Sequence, residues 1–491
     1  MPTARQILDL VLDPGSFTSW DQPVGDPPRA GPAYAETLAA ARRRTGLDEA
    51  VCTGEGRIRG RQIAVLACEF AFLGGSVGVA AASRLVAAAE RATAQGLPLV
   101  ATPCSGGTRM QEGTVAFLQM VRISAAIAQH KQAGLPYLVY LRHPTTGGVF
   151  ASWGSLGHVT AAEPGALVGF LGPRVYAALY GEEFPADVQT AENLYEHGLV
   201  DAVVPAEGLP DIAARALDVL TAARLPLPDV ARPVAAELPD IPAWESIQRS
   251  RRPDRPGVRA LLKLAGSRVS TLNGTGAGEA DPGLLLALAR FGAAPCVVLG
   301  QDRRGPAPLG PAGLRAARRG MRLAAELGLP LVSVIDTAGA ALSKEAEEGG
   351  LAGEIARCLA ELVELPAPTV CVLLGQGAGG GALALLPADR VVAAQHAWLS
   401  PLPPEGAAAI LYRGTSRAAE LATAQGVRSA DLLANGIVDY VVPEHPDAAE
   451  ERIAFLRRLG GVLAAELTAL LRADPADRLA ARAARFRRLG A

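Results

Sequence analysis

No two cysteines of this chain stand in CxxC spacing. The six, Cys52, Cys68, Cys104, Cys296, Cys358 and Cys371, are scattered singly over 491 residues. That pattern excludes a zinc ribbon and a thioredoxin-type motif, and free thiols in a reducing compartment are the expectation. Histidine is as scarce, six in all, and neither these nor Glu347-Glu348 offers a metal-ligand spacing, so no metal is expected. Aromatic residues make up only 4%, and 47 basic residues nearly balance 49 acidic ones without a basic block. Nothing in that balance recommends a nucleic-acid partner. The start, Met1-Pro-Thr-Ala-Arg-Gln-Ile-Leu, lacks the apolar run of a signal peptide and reads as a helix opening. A long uncharged stretch, 367–388, carries five glycines and two prolines, and reads as strand, turn and short helix rather than a bilayer span. A cytoplasmic protein with no membrane partner is expected.

What the chain does have is glycine, 54 residues of it, a 49% hydrophobic share, and length for two large domains. It also repeats itself. Gly96-Leu97-Pro98-Leu99-Val100 recurs unchanged at Gly328-Leu329-Pro330-Leu331-Val332, a spacing of 232. Each copy follows a 16-residue Ala/Arg-rich helical segment, 80–95 or 312–327, and each runs into a small-residue turn, Cys104-Ser105-Gly106-Gly107 or Asp336-Thr337-Ala338-Gly339. Pro136-Tyr-Leu-Val-Tyr-Leu141 is answered at the same spacing by Pro368-Thr-Val-Cys-Val-Leu373, and Gly147-Gly148 one residue later by Gly380-Gly381. Gly198–Pro205 and Gly436–Pro443 close the halves at a spacing of 238. The chain therefore reads as an internal duplication of one α/β fold, with short apolar strands alternating with helices and joined by right-handed crossovers. Seven prolines in 226–256 mark a semi-rigid connector. The expected division is a first domain over 1–225, a Pro-rich linker over 226–242 and a second domain over 243–491. The C-terminal run 451–489 reads as helix, with its arginines in solvent.

Three kinds of chemistry can be weighed against these residues. Gly375-Gln-Gly-Ala-Gly-Gly380 fits G-x-G-x-x-G, but Pro387 cuts the following helix short and no acidic residue ends the next strand, against a dinucleotide site. Cys104 or Ser105 could be a nucleophile with His143, yet no G-x-S-x-G elbow is present, and a Cys at a strand end commonly packs as a small hydrophobe. What remains is a Gly-Gly turn before a short helix in each half. Adjacent N–H groups at a helix start can hold an oxyanion, and each such donor contributes about 3 kcal/mol to a developing charge. Two such sites suit a reaction that forms two oxyanions.

At this point a family resemblance is legible. The first half resembles the β subunit of the carboxyltransferase component of acetyl-CoA carboxylase, through Phe72–Gly78, Ser105-Gly-Gly-Thr-Arg-Met-Gln-Glu112, Pro144-Thr-Thr-Gly-Gly-Val149 and Glu163-Pro164. The second resembles the α subunit, through Trp244–Pro256, Ile335–Glu348, Gly375–Ala382 and Ser400–Gly406. The resemblance implies two tandem crotonase-like (ClpP/crotonase) domains. It implies an acyl-CoA substrate, and biotin as carboxybiotin on a separate biotin carboxyl carrier protein that a biotin carboxylase charges. Carried over residue by residue, Gly147 and Gly148 hold the thioester oxygen; Gly380 and Gly381, with Ala382 beside them, hold the ureido oxygen of biotin. The biotin anion would then be the base. Ser105, Gly106, Gly107, Thr108 and Arg109 fall on the CoA side. A homo-oligomer, dimer or larger, is implied as well. Two departures stand out: the four-cysteine ribbon common at the start of β subunits has no counterpart here, and Ala338 stands where the family usually has proline.

The expected reaction is carboxyl transfer from carboxybiotin to acetyl-CoA, giving malonyl-CoA for fatty-acid or polyketide synthesis. Two alternatives stand beside it: a biotin-independent malonyl-CoA or malonyl-carrier decarboxylase, and a non-catalytic CoA-binding scaffold.

Overall fold

The computed structural model describes residues 1–24, 31–222, 228, 230, 231, 234 and 237–487. The chain divides into two compact units, Met1–Thr221 and Ala222–Ala491. Of the Pro-rich segment expected over 226–242, residues 226, 227, 229, 232, 233, 235 and 236 lie outside the described residues, and 237–242 form neither helix nor strand.

The first unit is built on a seven-stranded sheet in the order Thr18–Ser19, Val51–Ile58, Arg61–Cys68, Leu99–Thr102, Tyr137–Leu141, Val159–Ala162, Ala202–Val203. From Arg61–Cys68 onward the neighbours are parallel, as the alternation of strands and helices predicts. The first three strands are antiparallel, which the alternation did not reveal. Their hairpin closes at Arg59-Gly60, both at positive φ (+48° and +80°), the two-residue geometry that matches strand twist.

The second unit repeats this plan. Gly266–Leu272, Leu284–Phe291 and Ala294–Gln301 are antiparallel. Leu331–Thr337, Thr369–Ala378, Arg390–Ala394 and Tyr440–Val442 continue in parallel, and Trp398–Ser400 pairs beside the far end of Thr369–Ala378.

The alanine-rich helices lie flat on these sheets because their contact faces carry little bulk. Val79–Ala94 buries Ala81, Ala82, Leu85, Ala88, Ala89 and Ala92. Pro311–Leu327 buries Gly320, where a Cβ would stand 2.6 Å from Leu299 Cδ2.

The C-terminal helices, Arg452–Arg472 and Pro475–Arg487, correct one expectation. Arg478 and Arg482 are buried, not solvated. Arg482 donates to both carboxylate oxygens of Asp389 (2.8 and 2.7 Å) and to the Leu362, Leu365 and Ala367 carbonyls. These carbonyls lie at and just beyond the end of helix Leu351–Glu364, where backbone acceptors lack helical partners and attract a cation.

Candidate active site

Each unit presents two neighbouring parallel strands whose ends meet. In the first unit, Leu99–Thr102 runs into the turn 103–109, and Tyr137–Leu141 leads to Thr145–Thr146 and the short helix Gly147–Phe150. In the second, Leu331–Thr337 runs into 338–341, and Thr369–Ala378 leads directly into helix Gly379–Leu383.

The two turns are built by one device. Ser105 Oγ accepts the Gly107 N–H at 3.0 Å, and Thr337 Oγ1 accepts the Gly339 N–H at 3.1 Å. Both glycines take positive φ, +110° and +143°, which a side chain would oppose. Both turns then tie back to a preceding loop, Arg109 N–H to the Val77 carbonyl (3.0 Å) and Ala341 N–H to the Leu309 carbonyl (2.9 Å). Every position in this comparison has its counterpart 232 residues on.

The helix starts obey the same spacing. Gly147 and Gly379 each open their helix at φ +63° and +65°. Gly147 therefore answers Gly379, and Gly148 answers Gly380; the one-residue slip read from the letters disappears. Three consecutive glycines, Gly379 to Gly381, had concealed the match, and the sign of φ resolves it.

The structure gives the two glycines of the first unit separate tasks. The Gly147 N–H is engaged by the Phe170 carbonyl at 2.9 Å, so Gly147 contributes its left-handed conformation rather than a donor. Among the described residues the amides of Gly148 and Thr108 have no acceptor. They are also neighbours: a Cβ on Gly148 would stand 3.3 Å from Thr108 Oγ1, and one on Gly107 would stand 3.3 Å from the Gly148 nitrogen. In the second unit the corresponding amides, Gly380 and Ala340, likewise have no acceptor among the described residues. There a Cβ on Gly381 would stand 3.2 Å from the Ala340 nitrogen. Each unit thus offers backbone donors from a helix start and from the facing turn. Sequence reasoning missed the turn's share, although the Ser105-x-Gly107 and Thr337-x-Gly339 pattern was there to signal it.

Several motif residues turn out to hold the fold. Arg109 is fully buried, donates to both oxygens of Glu49 at 2.8 and 2.5 Å, and lies over the Phe72 ring. It cannot reach a CoA on the surface, and the expectation that it lines that side is corrected. Ser105 is buried too, its hydroxyl bound to the Gly75 carbonyl at 2.6 Å, which leaves Gly106 and Thr108 as the accessible members of that segment. Glu112 accepts the Val79 N–H at 2.6 Å and thereby caps helix Val79–Ala94. Burial pushes the Cys104 thiol up to about 12, and its Sγ donates to the His143 carbonyl at 3.0 Å, so no thiolate nucleophile forms there. Cys104→Ala is accordingly expected to keep kcat within roughly twofold, and a steady-state assay checks it.

In the second unit the helix start opens onto a cavity of about 620 Å³. Gly379, Gly380 and the turn 336–340 form one wall; Leu342, Leu351, Ile355 and Leu402 supply apolar surface. Asp336 is buried beneath it. Burial raises its carboxyl above the ordinary value in spite of Arg303 at 3.2 Å. Asp336 Oδ1 accepts the Gln376 N–H at 3.1 Å, and a Cβ on Gly375 would approach that oxygen to 2.4 Å. Asp336 therefore fastens one strand to the next. No group of three or more His, Cys, Asp or Glu residues that could hold a metal occurs among the described residues.

The carboxyl transferase domain family matches residues 2–478. The probable biotin-dependent acyl-coenzyme A carboxylase beta3 subunit of Mycobacterium tuberculosis strain H37Rv is 64% identical over 492 residues, covering 99% of this chain and 98% of that one. The acetyl-coenzyme A carboxylase carboxyl transferase subunits beta/alpha of Salinispora arenicola strain CNS-205 is 39% identical over 510 residues, with 99% and 90% covered. Among solved structures, a transcarboxylase 12S described as a hexamer, with methylmalonyl-coenzyme A and methylmalonic acid bound, superposes with a TM-score of 0.71 at 23% identity, covering 93% of this chain and 89% of that one. That likeness establishes the fold, two crotonase-like units in tandem, as expected from the sequence.

Proposed function

The chain belongs to the carboxyl transferase domain family, as a biotin-dependent acyl-CoA carboxyltransferase, and from that premise we propose that it carboxylates acetyl-CoA to malonyl-CoA. The observation that carries the mechanism is the duplicated pair of backbone donors, Thr108 with Gly148 and Ala340 with Gly380.

In this reading the Thr108 and Gly148 amides receive the thioester oxygen of the acyl-CoA as the α-carbon loses its proton. The charge that grows on that oxygen strengthens both hydrogen bonds, which lowers the barrier to enolate formation. Gly106 and Thr108 border the CoA. On the second unit Gly380, with Gly381 and Ala382 behind it in the helix and Ala340 opposite, receives the ureido oxygen of biotin. The cavity fits such a group: a polar edge of N–H donors faces walls of leucine and isoleucine that exclude water from the ring. Carboxybiotin on its carrier supplies the carboxyl group and, once relieved of it, the base.

Acetyl-CoA as substrate is supported by the motif resemblance and by relatives such as the Salinispora protein. The partners proposed are a biotin carboxyl carrier protein, a biotin carboxylase and further copies of this chain. Among the described residues no helix is long and apolar enough to cross a membrane.

Purified protein assayed with a biotinylated carrier against acetyl-, propionyl- and butyryl-CoA tests the substrate. Acetyl-CoA is expected to give the highest kcat/KM, and each added methylene to shift selectivity by about 1–3 kcal/mol. A higher kcat/KM for propionyl- or butyryl-CoA would reject acetyl-CoA as the preferred substrate. Exchange of label between malonyl-CoA and acetyl-CoA in the absence of biotin would favour the decarboxylase instead.

A further inference from the structure

Helix Gly379–Leu383 is too short to satisfy its own carbonyls. The Gly380 carbonyl accepts from Ala384 N–H at 2.9 Å, but that of Gly381 is taken by a side chain, the Nε2 of Gln301 at 2.6 Å. The Oε1 of the same amide accepts the Asp336 N–H at 3.1 Å. Gln301 ends strand Ala294–Gln301, is 2% exposed and borders the cavity. One carboxamide thus joins the two backbone segments that form the site: the helix start and the turn that opens at Asp336.

We infer that Gln301 is a positioning residue for the second unit's donors, an inference that rests on the function proposed above. The Gly381 oxygen lies one residue beyond the Gly380 amide in the same short helix, so fixing that oxygen fixes the helix start that aims the Gly380 N–H. Holding Asp336 N–H at the other end of the amide sets the spacing between the helix start and Ala340. Both functions need an amide: a carboxylate would offer only acceptors and would set one oxygen against the Gly381 carbonyl. Among the described residues of the first unit no single side chain makes both contacts. The hairpin partners Val51 and Cys68 there correspond to Leu284 and Gln301 here. Cys68 lies against the Cys104 backbone, the counterpart of Asp336, while the Val149 carbonyl, the counterpart of that of Gly381, accepts the Ser152 N–H at 3.3 Å and the Ser152 hydroxyl at 3.4 Å. The duplicated units have diverged at this contact, which makes Gln301 specific to the carboxyl-donor side.

Two variants test this. Gln301→Met keeps length and loses both hydrogen bonds; Gln301→Glu keeps an acceptor for Asp336 and loses the donor to Gly381. Each is expected to lower kcat by roughly 10- to 100-fold while the KM for acyl-CoA stays within roughly twofold, because misplaced donors impair the chemistry and leave the other substrate's site intact. Should the methionine variant fail to fold, the glutamate variant carries the same expectation. Retained kcat in a folded variant, or acyl-CoA KM rising in step with the loss, overturns the inference. A second measurement does not depend on the reaction. Amide hydrogen exchange over 379–384 and 336–341, without substrate, is expected to quicken by roughly tenfold or more in Gln301→Met. Unchanged exchange there overturns the positioning role. A wild-type protein inactive with every acyl-CoA and biotin donor, but with exchange altered as expected in the variant, would overturn the proposed function and leave the positioning role standing.

Discussion

Gly148→Val is expected to yield a folded protein that has lost roughly 10²–10³ in kcat. The fold survives because this glycine has no positive φ, and a Cβ there meets side-chain atoms, Met120 Cγ and Thr108 Oγ1, each at 3.3 Å. Met120 can move: it is unbranched and has rotamers to spare. The valine methyls then occupy the space in front of the Gly148 and Thr108 amides, where the thioester oxygen has to sit. Circular dichroism and a thermal melt establish folding, and steady-state kinetics establish the loss. Turnover near the wild-type rate in a well-folded variant would remove the Thr108–Gly148 assignment. Gly147→Val makes the contrast, because there φ is +63° and a Cβ approaches the Gly106 carbonyl to 3.2 Å. Its damage should appear first in stability.

The largest stability effect is expected in the second unit, at Arg255. Arg255 and Glu444 are both fully buried and joined by two hydrogen bonds at 2.7 and 2.6 Å. Glu444→Gln leaves the guanidinium facing a neutral amide, with Asp447 at 3.4 Å as its remaining carboxylate. Breaking a buried pair from one side costs about 3–5 kcal/mol, enough to lower the urea midpoint plainly. An unchanged midpoint would show the pair to be dispensable. Acid titration gives the sign independently. Burial by itself would raise the Glu444 carboxyl, yet Arg255 holds it below the usual carboxylate range. Its folded value therefore lies below its unfolded one. The stabilisation is complete above the usual carboxylate range and is lost as pH falls through the folded value. Glu444→Gln should remove that part of the acid limb.

Much of this architecture could be read from the chain because duplication writes the same physics twice. Gly-Leu-Pro-Leu-Val at 96 and 328 marked equivalent helix ends and strand starts, and their spacing held through hydrogen bonds that no letter announces. The antiparallel edge was not legible, since Arg59-Gly60 is a weaker hairpin signal than Asn-Gly. Arg109 was misread because a charged residue in a shared motif looks like a ligand contact, and only folding reveals Glu49 beneath it. Gln301 was missed for a related reason: its partners are backbone atoms 35 and 80 residues away, so its significance has no local trace.

The site is made of main chain, and mutational surveys see main chain poorly. Replacing Ser105, Arg109, Glu112 or Asp336 by alanine would disturb turns, caps and strand junctions, and such a scan would map the scaffold as though it were the machinery. The glycines at the two helix starts carry no side chain to remove. What distinguishes Gly147 and Gly379 is the sign of one torsion angle, +63° and +65°. A survey that added a methyl group at each glycine, rather than deleting side chains, would trace the outline of both cradles. Sequence drift in the surrounding walls, serine for threonine at 105 and 337 or glycine for alanine at 106 and 338, can then proceed while the amides keep their places. Variation in such a protein should accumulate around its reactive centres without passing through them.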